Sequence, residues 1–189
     1  AMTISPKGLI YTDYDQMFAD PAVEGVYISL PNAFHLPVAI KAMKAGKHVL
    51  CEKPLGMNAA EVREAIDVSE KMGVLFVEAS WNRWHPRTQR VHEIVRSGKL
   101  GAIKRIRTAF TYSGLDDANI RLDPTIGGGI LYDLGPYSTV APLWLLDFPK
   151  VENLSVQTVF HEGGVDETTR VNYRLGNTVC ETVASCNIP

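Results

Sequence analysis

Only three cysteines, Cys51, Cys180 and Cys186, occur in the 189 residues. None belongs to a C-x-x-C pair, so neither a disulfide scaffold nor a zinc ribbon is expected. An odd count of thiols suits a reducing compartment, which makes a cytoplasmic location the expectation. No stretch approaches the roughly 18 consecutive apolar residues of a membrane span. Residues 1–10 show neither the basic start nor the apolar run of a secretory signal. Charge of one sign is also lacking: Lys and Arg number 19 against 21 Asp and Glu, for a net charge of -2. No basic patch of the kind that holds nucleic acid is visible. There is no G-x-S-x-G and no P-loop, which leaves serine hydrolysis and P-loop nucleotide binding without a signature. Gly127 and Gly129 begin a G-x-G-x-x-G, but Tyr132 occupies its last position. His92-Glu93 starts like a zinc-protease helix, yet Arg96 stands where the second histidine belongs, and His161 has no partner at ligand spacing. No metal site is therefore expected. What is present is ordinary globular composition, with 46% hydrophobic and 21% charged residues.

The first part of the chain alternates apolar strands with amphipathic helices. A short helix over 14–20 stops at Pro21, and EGVYISL at 24–30 reads as a buried strand. A helix over 35–45 follows, with Val38, Ala42 and Ala45 on one face and Gly46 closing it. HVLCE at 48–52 reads as a second strand. Asn58 caps a helix over 59–72, with Glu61 as its capping-box partner and Val62, Ala65, Ile66 and Ser69 on one stripe. VLFVEA at 74–79 is the third strand. This order predicts a parallel sheet with helices covering it. The C-terminal strand ends, Leu30-Pro31-Asn32, Glu52-Lys53-Pro54 and Ala79-Ser80-Trp81, would share the edge where open α/β sheets bind ligands.

The second part reads as α+β. A helix near 86–97 turns Val91, Ile94 and Val95 inward, and a strand follows at 102–112. The triple glycine 127–129 leads into an apolar helix of about 130–146, then three alternating strands near 153–161, 168–175 and 178–186. The fold class is thus α/β: a partial Rossmann-like parallel sheet over residues 1–80, then an α+β domain with a mostly antiparallel sheet over 81–189.

Three segments carry candidate chemistry. Lys53 offers a point charge at the ligand edge; the competing reading is a solvated turn lysine. In GGGILYDLGPY, Asp133 and Tyr137 stand at i and i+4, on one face if the segment is helical. A carboxylate and a phenol together suit proton transfer to an alcohol or carbonyl, although Pro136 would kink such a helix. Trp81-Asn82-Arg83-Trp84 could wall a pocket or simply pack between domains.

YTDYDQMFADPAVEGVYISLPNAFH, AGKHVLCEKPLGMNAAEV, EASWNRWHP, NIRLDPTIGGGILYDLGPY and GVDETT, in that order, resemble the glucose–fructose oxidoreductase/inositol dehydrogenase/MocA family. The similarity is to its dihydrodiol dehydrogenase and xylose dehydrogenase subgroup, which has tyrosine at the position of Tyr137. The resemblance implies hydride transfer between NAD or NADP and a CH–OH group of a sugar, polyol or diol. It implies Lys53, Tyr137 and Asp133 as catalytic residues, with Tyr137 moving the hydroxyl proton. It implies Leu30, Pro31, Asn32, His35, Glu52, Lys53, Trp81 and Arg83 as cofactor-binding, and a homo-oligomer formed through the C-terminal sheet. The family's first strand, glycine-rich turn and second strand are not among the 189 residues, nor are its last strands. The chain therefore reads as a truncated middle, and the residue that separates NAD from NADP is missing from it. Two other readings stay open: a non-catalytic relative serving as an oligomerising or interaction module, and a sugar-binding protein without redox chemistry.

Overall fold

The computed structural model describes residues 8–116 and 118–188. Strands β1 (Gly25–Ile28), β2 (His48–Cys51) and β3 (Phe76–Glu78) form a parallel sheet in the order β1-β2-β3. Helix α1 (Tyr14–Ala19) precedes β1, while α2 (His35–Lys44) and α3 (Ala59–Met72) make the crossovers. Asn58 accepts bonds from the N–H groups of Ala60 and Glu61, as an N-cap should. Glu61 answers through its carboxylate to the Asn58 side-chain amide rather than to its backbone. Gly46 and Gly73 take φ of 78° and 66° after α2 and α3, a region that disfavours residues with a Cβ.

The buried face of α2 differs from the expected one. His35, Leu36, Ala39, Ala42 and Met43 are buried, whereas Ala45 is exposed and Val38 lies at the margin. Likewise Ala65 and Ser69 carry the buried stripe of α3, and Ile66 is exposed. These helices and Phe18 of α1 pack with Ile28, Val49 and Cys51 into one core. Burying a side chain such as Met43 there contributes about 1.5–3 kcal/mol. The opposite sheet face is not covered by any described residue: Tyr27, Leu50 and Val77 stay more than 40% exposed. The strands are therefore one-sided, not buried on both faces as their apolar runs predict.

Two helices, α4 (Trp81–Trp84) and α5 (Pro86–Arg96), lead into the second sheet, and Val91 of α5 faces solvent instead of the core. That sheet runs β4-β7-β6-β5, from β4 (Arg105–Thr111), β5 (Val151–Phe160), β6 (Asp166–Leu175) and β7 (Thr178–Ser185). β5, β6 and β7 are antiparallel neighbours, while β4 joins β7 in parallel with Arg105 opposite Val179. The expected helix over 130–146 is broken into α6 (Ile130–Leu134) and α7 (Ala141–Leu145). Gly135 and Pro136 begin the break; a proline ring there cannot coexist with a continuous helical turn. Tyr137 sits on the intervening turn, held by neighbours in the sheet. Thr108 Oγ1 donates to the Ser138 carbonyl at 2.8 Å, and Tyr173 Oη to that of Thr139 at 2.6 Å.

Candidate active site

The two sheets meet at a cleft of about 510 Å³, on the C-terminal edge of the parallel sheet. Leu30, Pro31, Asn32, Glu52, Lys53 and Trp81 line it from the first half. Gly127–Gly129, Asp133 and Tyr137 line it from the second, with Phe110, Tyr112, Ile120 and Arg121 beside them. Polar contacts stitch the halves together. Asn32 Nδ2 donates to the Gly127 carbonyl at 2.8 Å, and Tyr132 Oη to that of Met57 at 2.9 Å. The glycine run is needed for this approach. A Cβ on Gly127 would stand 2.9 Å from the Ala33 nitrogen, and one on Gly128 only 2.5 Å from the Asp123 carbonyl oxygen.

Lys53 crosses the junction. Its Nζ donates to Asp133 twice, at 2.8 Å to Oδ1 and 2.7 Å to the backbone carbonyl. It also lies 5.0 Å from the centroid of the Tyr137 ring. The other Asp133 oxygen, Oδ2, accepts from Arg121 Nε at 2.6 Å. Burial pushes the Asp133 carboxyl up, but the bonds from Arg121 and Lys53 outweigh it and hold the group below its ordinary range. The carboxylate thus keeps its charge between two cations while only 15% exposed.

Asp133 and Tyr137 do share the site, but through the turn after α6 and not through a continuous helix face. Asp166 fixes the start of α6: its Oδ2 accepts from the Leu131 N–H at 2.9 Å and from Thr169 Oγ1 at 2.7 Å. Tyr137 packs edge-on to Phe110 with ring centroids 5.3 Å apart. Its oxygen accepts from Trp81 Nε1 at 2.9 Å. Accepting that bond leaves the phenol hydrogen free to be given to another oxygen.

The remaining candidates divide. Glu52 accepts from Tyr27 Oη at 2.5 Å, which pushes the Tyr27 phenol up to about 12. His35 is fully buried beneath the cleft wall, its ring bridging the carbonyls of Leu30 at 2.7 Å and Pro54 at 2.8 Å. It lies in the lining of the cleft and fixes two strand-end loops there. Arg83 is not in this cleft. Its guanidinium lies 5.8 Å from the Phe148 ring, in a neighbouring hollow with Trp84 and Asp147. Arg121, Glu78, Asp166 and the Trp81–Tyr137 bond escaped sequence reasoning. Glu78 is a strand-end carboxylate that accepts from the Leu55 N–H at 3.0 Å and so holds the Lys53 loop. Only the caps Asn119 and Asp123 hinted at order around Arg121.

A parallel βαβ sheet with a lysine, an aspartate and a tyrosine at its ligand edge has the architecture of a Rossmann-like nucleotide-binding fold. Residues 3–80 match the oxidoreductase family with an NAD-binding Rossmann fold, and residues 88–188 match the GFO/IDH/MocA C-terminal domain. The chain belongs to the Gfo/Idh/MocA family. Among its relatives, mouse trans-1,2-dihydrobenzene-1,2-diol dehydrogenase is 37% identical over 163 residues, which is 85% of this chain and 48% of that one. D-xylose 1-dehydrogenase (NADP(+)) 2 of Haloferax volcanii is 39% identical over 142 residues, 74% of this chain and 43% of that one. The crystal structure of aldose-aldose oxidoreductase from Caulobacter crescentus superposes with a TM-score of 0.83 at 26% identity, covering 94% of this chain and 55% of that one. The chain spans just under half the length of those two curated relatives.

Proposed function

We propose that the protein is an NAD(P)-dependent oxidoreductase that transfers hydride between a nicotinamide nucleotide and a CH–OH carbon of a sugar, polyol or diol. One observation carries this reading: Lys53 meets Asp133, 80 positions on in sequence, and Tyr137 in one cleft at the ligand edge of a parallel sheet. The relatives named for a trans-1,2-diol and for D-xylose support the substrate class.

The residues present fit the nicotinamide end of such a nucleotide. Leu30 and Pro31 offer an apolar wall, Trp81 a flat ring, and Glu52 a carboxylate able to accept from a ribose hydroxyl. When bound, the nucleotide supplies the hydride acceptor or donor. The chain's own residues do the rest. Lys53, steered by Asp133, has one of its three N–H donors left for the substrate oxygen. Tyr137, steered by Trp81 and Phe110, gives or takes the hydroxyl proton at Oη. Domain limits at 1–80 and 81–189 fit the two sheets. The three free cysteines support a reducing, cytoplasmic setting. Exposed Leu154, Val156 and Phe160 on β5 support assembly through the second sheet.

The experiment is a thermal-shift titration with NAD(H) and NADP(H). Nucleotide at 100 times its dissociation constant adds about 2.7 kcal/mol of stability. The expected result is a saturable shift with at least one of them, reduced by Trp81→Ala. No shift with any of the four sinks the nucleotide-dependent reading and favours a sugar-binding or interaction role.

A further inference from the structure

The Lys53–Asp133–Arg121 chain points to more than orientation of a catalytic lysine. Arg121 lines the cleft, and its side chain is 40% exposed there. Its Nε is committed to Asp133, and its Nη1 lies 3.4 Å from Asn119 Oδ1. Nη2 makes no hydrogen bond among the described residues, so a guanidinium held by its neighbours on the cleft lining keeps unused donors. Lys53 likewise keeps one donor free. The two cations flank the two oxygens of a single carboxylate. One carboxylate thus holds both cationic head groups side by side on the cleft lining, within reach of neighbouring oxygens of one small substrate.

We infer that Arg121 reads a second substrate oxygen, on the carbon next to the one that reacts at Lys53 and Tyr137. The inference rests on the oxidoreductase reading of the cleft and narrows it to substrates with neighbouring oxygens. Sugars, polyols and 1,2-diols share that feature; simple alcohols do not. The charges fit as well. Lys53 and Arg121 balance Asp133 and the nearby Glu52, so the cleft favours neutral, hydroxyl-rich ligands over anions.

The test uses two probes of one shape, trans-cyclohexane-1,2-diol and cyclohexanol. Their dissociation constants are measured by ligand-observed NMR on the wild-type protein, on Arg121→Met and on Arg121→Lys, with and without nucleotide. Arg121→Lys keeps a cation against Asp133 but removes the Nη donors, so it answers the question if Arg121→Met fails to fold by circular dichroism. The expected result is tighter binding of the diol by the wild type, by about 10- to 100-fold for one charge-assisted bond, and collapse of that preference in the variants. An unchanged preference in a folded variant, equal loss of both probes, or a wild type that ignores the second oxygen overturns the inference. A diol preference that depends on Arg121, with no oxidation by either nucleotide, upholds the recognition and sinks the oxidoreductase reading instead.

Discussion

Removing either end of the Lys53–Asp133 pair should reveal strong coupling between them. Both side chains are mostly buried, at 12% and 15% exposure, and the pair is held at 2.8 Å. Lys53→Met takes away one charge-assisted bond from Asp133 but leaves Arg121 in place, which should cost about 1.5–3 kcal/mol. Asp133→Asn is worse. It strips the counter-charge from a buried lysine and from Arg121 together, and such losses run to about 3–5 kcal/mol. In the double variant the stranded ammonium is gone, so part of the second cost disappears. The coupling should reach about 1.5–3 kcal/mol, against the roughly 0.3–0.5 kcal/mol within which independent sites add. Urea unfolding of the four proteins, monitored by circular dichroism with the slope checked for constancy, measures it. Additive losses would refute the idea that these two groups form one buried unit.

Other outcomes follow from the same geometry. Tyr137→Phe should lower turnover by about 10²- to 10⁴-fold in steady-state kinetics, the usual worth of a placed proton-transfer group, while nucleotide affinity holds; a drop under tenfold would argue against that role. Asp133 has a depressed pKa, so its contribution to stability is complete above the ordinary value of 3.8 and is lost as pH falls through the folded value. Acid unfolding should therefore begin at a less acidic pH for Lys53→Met than for the wild type, and identical acid profiles would contradict the assignment. Gly128→Ala pushes a Cβ into the carbonyls of Asp123 and Arg121 at 2.5 and 2.7 Å, and should cost about 1–3 kcal/mol of stability in thermal melts. A neutral effect would mean that the loop yields without loss.

Much of the parallel sheet was legible because its signals are local. Pro21 and Pro31 bracket β1, Gly46 and Gly73 end the helices, and Asn58 starts α3. Faces were less legible than elements: small alanines make the helical stripe of α2 ambiguous, and only packing chose Ala39 over Ala45. Pro136 warned of the break between α6 and α7, yet the apolar run around it outweighed the warning. The parallel pairing of β4 with β7 had no local signal at all, since it joins residues some 74 positions apart, as Arg107 and Glu181 are. In the candidate site, Lys53, Asp133 and Tyr137 were read from motif resemblance, and the structure groups them. Arg121 lies within one of the quoted segments, but the resemblance assigns it no role. It stands in the single 3-10 turn Ile120–Leu122, too short to show periodicity, and its meaning comes from a carboxylate 12 residues on. His35 shows another limit: its position in the cleft lining was legible from the motif, but the two carbonyls its ring bridges were not.

The measurement that tests the oxidoreductase assignment most directly is isotope transfer. The protein is incubated with nicotinamide nucleotide deuterated at the reacting carbon and with an α-hydroxy carbonyl substrate, and the product is read by mass spectrometry. The expected result is one deuterium on the new carbinol carbon with the wild type and a large loss of label with Tyr137→Phe. Unlabelled substrate recovered from the wild type with both nucleotides would contradict the assignment.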